Sequence, residues 1–335
     1  MKMKTYIFLM LFLATALDPM PAFSQPAGRA QRSSIFERLT ATDGIQLTLS
    51  TNVSALIADK KMQDYQPAVL TTPDGTSIAI SVKPRGKFRR RISPIPPLKL
   101  KIKKKWLESE GLDTLNELKL VLPTSLDRTG DELVVREYLV YRMFEQASPY
   151  SIRARLVDLT LLNTGLGNEP RYTVKAILLE DEEELAARLE GQLVEQYGLT
   201  ADSLDPTQAA LTAMFQYMIG NTDWNVAEFR NLRMLRLPNG ALTPVPFDFD
   251  FCGFVNAPYA TPTSGLGIRS VRERFIQADG LRPEALSRAI DVLQNCKQGF
   301  YDLCRNGQVA AGAGEKLVQY LESFFREPQA YEKGK

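Results

Sequence analysis

LTAMFQYMIGNTDWNVAEFRNLRMLRLPNGALTPVPFDFDFCGFVN, residues 211–256, is the stretch on which the reading of the whole chain depends. Just upstream, Asp205 and Pro206 have the form of an N-cap and a first-turn proline. Leu211, Met214, Phe215, Met218 and Ile219 then fall on one helical stripe that Gly220 can end. A polar cluster of Asn221, Asp223, Asn225 and Asn231 therefore begins where the helix stops. NLRMLRL and ALTPVPF predict two strands joined through Pro238, Asn239 and Gly240, and the second strand returns Asp248 and Asp250 toward that cluster. PVPFDFDF admits two carboxylates into an apolar run, and a buried charge needs a partner. Carboxylate and amide oxygens converging from separate elements suit Mg²⁺, which favours hard oxygen ligands, beside a hydroxyl placed for attack on a phosphoryl group. For each residue taken singly, the plain alternative is a capped turn or a strand end, since Asn and Asp are common turn formers.

Composition bounds the chemistry. The chain has 335 residues, room for one large domain or two small ones, with the apolar and charged fractions of a globular protein. A formal charge of +2 makes no case for nucleic acid or an anionic membrane as partner. Histidine is absent from the sequence, which excludes Ser/His/Asp and Cys/His catalysis and imidazole metal sites. Acid and base work must fall to Asp, Glu, Lys, Tyr or Cys. Three cysteines are too few for a disulfide scaffold. On one straight helix Cys296 and Cys304 would stand roughly 12 Å apart, too far to bridge, and only a break near Gly299 would change that. Cys252, beside the Asp pair, reads as a small buried strand residue rather than a reactive thiol.

The N-terminus speaks of location. Lys2 and Lys4 precede an apolar run from Tyr6 to Leu17, and Ala22, Phe23 and Ser24 form a small-x-small pattern, so residues 1–24 read as a secretory signal peptide. Its cleavage implies a secreted or periplasmic protein without a membrane span. Residues 25–34 read as a loose leader, and a domain spans 35–330.

Along that domain, GIQLTLSTNV predicts a strand, SALIADKK a short helix, and PAVLTTPDGTSIAISVKPRG a hairpin around Asp74 and Gly75. In GKFRRRISPIPPLKLKIKKKW, Lys99, Lys101 and Lys103 alternate with Leu98, Leu100 and Ile102, a strand with one basic and one apolar face. Arg85, Gly86 and Lys87 before it can form a basic turn over phosphate. ELKLVLP predicts a strand, and Asp131 to Ala147 a helix capped by Asp131. Glu137 sits mid-helix among apolar neighbours, either facing solvent or paired with a buried lysine; the local pattern alone favours solvent. ARLVDLTLLN and PRYTVKAILLE read as strands, DEEELAARLEGQLVEQY as one amphipathic helix, and PEALSRAIDVLQNC and EKLVQYLESFF as helices.

The order RGKFRRR…PPLKLKIKK, VVREYLVYRMF, RYTVKAILLED, FQYMIGNTDWN…RN and VPFDFDFCGFVN resembles the CotH (spore coat protein H) kinase-like family over about residues 82–274. The resemblance implies an α+β, two-lobed atypical protein-kinase-like fold, with a β-rich N-lobe over about 35–180 and a mostly helical C-lobe over about 181–330. It implies that Lys99, or Lys101 on the same strand face, contacts nucleotide phosphates, that Glu137 pairs with that lysine, and that Glu180 lies at an adenine-holding hinge. Asp223 matches the catalytic aspartate, Asn231 (with Asn225 as alternative) a metal-binding asparagine, and Asp248 a metal-binding aspartate; Asp250 stands as a second metal ligand. Arg85 and Gly86 stand in for the absent glycine-rich loop. The expectation is a kinase using ATP with Mg²⁺ or Mn²⁺, whose acceptor is a hydroxyl of an unidentified envelope or exterior protein. Nucleotidyl or glutamyl transfer and an inactive binding or structural protein are the alternatives.

Overall fold

The computed structural model describes residues 32–41, 44–166 and 171–326. The signal peptide and most of the leader lie outside the described residues. Ser34 is already part of the fold: it caps α1 (Ile35–Leu39) in a capping box with Glu37, and Ile35 and Phe36 are buried.

Next come β1 (Ile45–Thr51), α2 (Val53–Ala58), β2 (Gln66–Thr71), β3 (Ser77–Pro84), α3 (Arg89–Ile92), β4 (Leu98–Ile102), α4 (Lys104–Ser109) and β5 (Glu117–Val121). After α5 (Arg128–Ala147) come β6 (Ala154–Asn163) and β7 (Arg171–Glu180). These strands close into a barrel in the order β1-β2-β3-β4-β5-β7-β6, antiparallel at every seam except that between β1 and β6, which is parallel. Period-two alternation explains why they line one core. In β4, Leu98, Leu100 and Ile102 point inward while Lys99 and Lys101 point out, as the sequence pattern predicts.

The rest of the chain is α6 (Glu182–Arg188), β8 (Gln192–Val194), α7 (Pro206–Ile219), β9 (Leu232–Arg236), β10 (Leu242–Pro246), α8 (Pro283–Asn306) and α9 (Ala313–Arg326). Strands β10-β9-β8 form a second sheet. α7 packs on α8 and on β10, with Met214, Phe215, Met218 and Ile219 buried together with Phe249 and Phe254. Among the described residues no helix is long and apolar enough to cross a membrane.

This architecture overturns the two-lobed kinase-like expectation. β1 hydrogen-bonds to β2 on one side and to β6 on the other, so the β-rich part closes on itself as a seven-stranded barrel with no free edge, and the chain beyond it builds a further sheet. Local corrections have local causes. The helix predicted from Asp181 to Tyr197 stops at Arg188, because Glu190 takes φ +51° and Gly191 comes next, and Leu193 lies on β8 instead. α5 begins three residues early, capped by Asp127, while Asp131 accepts a hydrogen bond from the Lys175 amide. α8 runs unbroken through Gly299, so Cys296 and Cys304 share one helix and both are free.

Candidate functional site

α7 starts at Asp205, whose carboxylate accepts from the Gln208 amide, carries Pro206 in its first turn, and ends at Gly220 in the left-handed conformation (φ +67°). A Cβ on Gly220 would stand 2.2 Å from the Tyr320 hydroxyl, so glycine is required on two counts. The chain then turns sharply. Asn221 is buried and accepts from the Asp223 amide (2.9 Å). Asn231 Nδ2 donates to both the carbonyl (2.6 Å) and the Oδ2 (3.0 Å) of Asp223. Across the β9–β10 hairpin, Phe247 N–H donates to the Asn231 carbonyl, and Asp248 N–H donates to the Tyr141 hydroxyl of α5 (2.9 Å). Asp223, Asn231 and Asp248 thereby line one cleft of about 1030 Å³, between the β3–β5 side of the barrel and the β8–β9 sheet. Phe229, Asn231 and Asp248 all hold positive φ (+52°, +52° and +61°), a cost of about 1–3 kcal/mol each that the surrounding structure must offset and that concentrates at this cleft.

Its electrostatics centre on Arg89, a buried side chain of α3. Its guanidinium meets Glu137 Oε2 (2.5 Å), Asp250 Oδ2 (2.8 Å) and, more distantly, Asp248 Oδ1 (3.8 Å); Asp250 Oδ2 also accepts from the Tyr259 hydroxyl (3.1 Å). Three carboxyl groups crowd one guanidinium, so they cannot all ionise without cost. Glu137 shows the strain of this sharing. Its Oε1 is buried without a hydrogen-bond partner, and burial, with Asp250 and Asp248 nearby, pushes its pKa up although Arg89 opposes the shift. Asp248 keeps half of its side-chain surface open. The crowded cleft walls and then the Asp250 charge still raise its pKa. For Asp223, burial lifts the pKa to about 6, with Arg230 (3.9 Å) pulling down and Asp248 and Asp250 adding to the rise. A carboxylate poised there can take a proton from a hydroxyl near neutral pH.

The residues expected from sequence are thus partly brought together. Asp223, Asn231, Asp248, Asp250, Lys99 and Arg85 all line the cleft. The Lys99–Glu137 pair does not form: Lys99 bonds Glu117 and approaches Asp181 (3.8 Å), and the cation that meets Glu137 is Arg89. The solvent-facing alternative for Glu137 also fails, since the residue is 2% exposed. Lys101 points outward to Glu117 and over the Tyr65 ring. Glu180 does not line the cleft; its fully buried carboxylate is held by Arg153 and Arg188, while Asp181 to Glu183 border the cavity. Asn225 is a turn residue, paired with Arg230 and accepting from the Glu228 amide. Asp250 meets the cleft, but one oxygen is already taken by Arg89 and Tyr259. Arg89 and Lys119 escaped the sequence reading. Lys119 lies buried on β5 and bonds Glu182, near Asp181 (3.4 Å). An inward arginine within an RRR run differs in no local respect from its exposed neighbours.

Among the described residues no three His, Cys, Asp or Glu side chains group to cage a metal. The donor set fits a more modest arrangement: Asp248 is half open to the cleft and Asn231 lines it too. Mg²⁺ commonly takes one or two carboxylates and completes its shell with water and substrate phosphate. Facing this, Arg85 and Lys87 sit around Gly86 (φ +80°) at the barrel side and make no salt bridge among the described residues.

Titration of this network should be visible in stability. Asp223 (about 6), Glu184 (about 7, buried beside Ser34 and Arg153) and Glu137 all bind a proton more tightly folded than unfolded. Each such contribution is complete below the unfolded carboxyl pKa and lost as pH rises through the folded one. Carboxyls with lowered pKa, such as Glu117 and Asp127, act in the opposite sense but at lower pH. Tm at fixed ionic strength is therefore expected to fall from about pH 5 to about pH 8. A Tm rising across that window would contradict this account of the buried carboxyls.

Compared with known families and curated proteins, the chain matches no family model and no curated sequence.

Proposed function

We propose that the cleft is the active site of a metal-dependent phosphotransferase that moves the γ-phosphoryl group of ATP to a hydroxyl. The observation that carries this reading is the convergence of Asp223, with its pKa near 6, and the half-open Asp248 across from Arg85 and Lys87. The motif-level resemblance to the CotH kinase-like family supports the same chemistry. It lends no support through fold, since the barrel departs from that expectation.

In this reading Asp223 accepts the proton of the acceptor hydroxyl as its oxygen bonds to the γ-phosphorus. The bond from that phosphorus to the β-γ bridging oxygen breaks, and ADP leaves with the electron pair. Asn231, bonded to both the backbone and the carboxylate of Asp223, fixes the direction of that carboxylate. Arg85 and Lys87 attract the phosphates. Asp248 and Asn231 would hold a divalent ion, Mg²⁺ or Mn²⁺, which supplies charge neutralisation on the phosphate oxygens when bound. Lys2, Lys4 and the apolar run to Leu17 favour a location for this chemistry outside the cytoplasm, with an acceptor of the envelope or exterior.

A second reading has its own observation. Lys99, the residue matched to phosphate contact, is occupied by Glu117 and Asp181, an arrangement that suits an inert protein keeping a cation site. One titration tests both. ATP with Mg²⁺ or Mn²⁺ is expected to raise Tm by a few degrees at about one hundred times Kd; Asp248→Ala and the double change Arg85→Ala with Lys87→Ala should remove the shift while remaining folded, whereas Lys99→Ala should keep it. Absence of any shift at millimolar nucleotide would sink every nucleotide-using reading. A shift without a phosphorylated product leaves the inert one, and product mass separates phosphoryl from nucleotidyl or glutamyl transfer.

A further inference from the structure

Tyr197 is 73% exposed, unusual for a large aromatic side chain, and it lines the same cleft. Its ring stacks on Phe229 (centroids 5.4 Å apart, planes 29° apart), which leaves a broad flat face open at the cleft. The stack is built at a cost. Phe229 holds φ +52°, where a bulky side chain is a genuine outlier, and the Gly198 amide bonds the Ala227 carbonyl to tie the Tyr197 segment to the Asn225–Arg230 turn. Nothing in the packing of the core requires this ring, because its face meets solvent.

Polar groups flank the face. Glu228 and Arg230 pair with one another (2.5 Å) and both stay largely open, and Arg230 reaches Asp223 Oδ1 at 3.9 Å. A carboxylate and a guanidinium held side by side offer an acceptor and donors to a polyhydroxyl ligand. The platform lies on the wall that carries Asp223, whereas Arg85, Lys87 and Lys99 come from the barrel side. The flat face therefore belongs to whatever presents its hydroxyl to Asp223. We propose that the acceptor is a carbohydrate chain, one pyranose ring stacking on Tyr197 while a hydroxyl of its neighbour reaches Asp223. The apolar C–H face of a pyranose matches the electron-rich aromatic face, and its rim of hydroxyls matches Glu228 and Arg230. A peptide acceptor would lean instead on the free edge of β8, which offers only Gln192–Val194.

This inference rests on the phosphotransferase reading for the role of Asp223, but its test does not use nucleotide. Saturation-transfer NMR on the full chain with cellotetraose and chitotetraose at millimolar concentration is expected to show transfer to ring protons. Tyr197→Ala should weaken binding about tenfold or more, and Tyr197→Phe should retain it, because the face rather than the hydroxyl makes the contact. Tyr197 is exposed, so its loss should leave Tm unchanged. No transfer to either oligosaccharide, equal transfer in Tyr197→Ala, or binding of a serine-containing peptide in their place would overturn the proposal. Loss of the nucleotide shift with sugar binding intact would sink the transfer reading alone and leave a carbohydrate-binding cleft.

Discussion

Asp223→Asn is expected to reduce transfer by about 10²–10⁴-fold while leaving Tm unchanged or raising it. The amide preserves size and can still meet Asn231 and Arg230, but it cannot take a proton. Its effect on stability comes from the sign of the pKa shift. A carboxyl raised to about 6 is ionised at neutral pH at some cost to the folded state, and the amide removes that cost. Few substitutions at a merely structural turn would combine lost activity with undiminished stability. In the parent, the rate should rise with pH through about 6 as the base loses its proton, and Asp223→Asn should abolish that limb. Activity within a few-fold of the parent would remove Asp223 from the chemistry.

Arg89→Met is the second large effect, and it falls on stability. Removing the guanidinium leaves Glu137 and Asp250 buried without their cation, a loss of about 3–5 kcal/mol, or on the order of 10 °C in Tm. Glu137→Gln in the same chain should recover part of the loss, most visibly above about pH 8, where the carboxyl would otherwise ionise beside Asp250. Arg89→Lys should fall between, since an ammonium cannot reach both carboxylates as the forked guanidinium does. A Tm for Arg89→Met within two or three degrees of the parent would mean that the carboxyl groups find water or protons at little cost.

How much of this was legible in the sequence depends on whether the signal is local. The α7 cap, Pro206 and Gly220 could be read because capping acts within one turn, and the inward Leu98, Leu100 and Ile102 because strand periodicity is local. Asp223, Asn231 and Asp248 could be placed together because a hairpin joins them. Barrel closure could not. The pairing of Ile45–Thr51 with Val157–Asn163 is non-local, and no residue in β1 marks it. Nor could the partner of Glu137: three arginines in a row have equal local claims, and Arg89 is set apart by tertiary contacts, its bonds to Glu137 and Asp250 beside the packing of Phe88 on Phe251 and Tyr259. Glu180 misled because a strand end beside acidic residues looks alike whether its side chain faces the cleft or, as here, two arginines.

The parallel β1/β6 seam has a consequence for how the chain comes into being. Thr51 pairs with Asn163, so during synthesis at about 5–20 residues per second β1 waits roughly 5–20 s for the strand that completes it. Throughout that interval the nascent barrel is an open ribbon whose first strand presents unpaired amides and carbonyls, a template for a neighbouring chain. The finished molecule has no such edge in its barrel. Its hazard of misassembly is therefore concentrated in its birth, and a fragment ending before Ala154 would carry that hazard permanently.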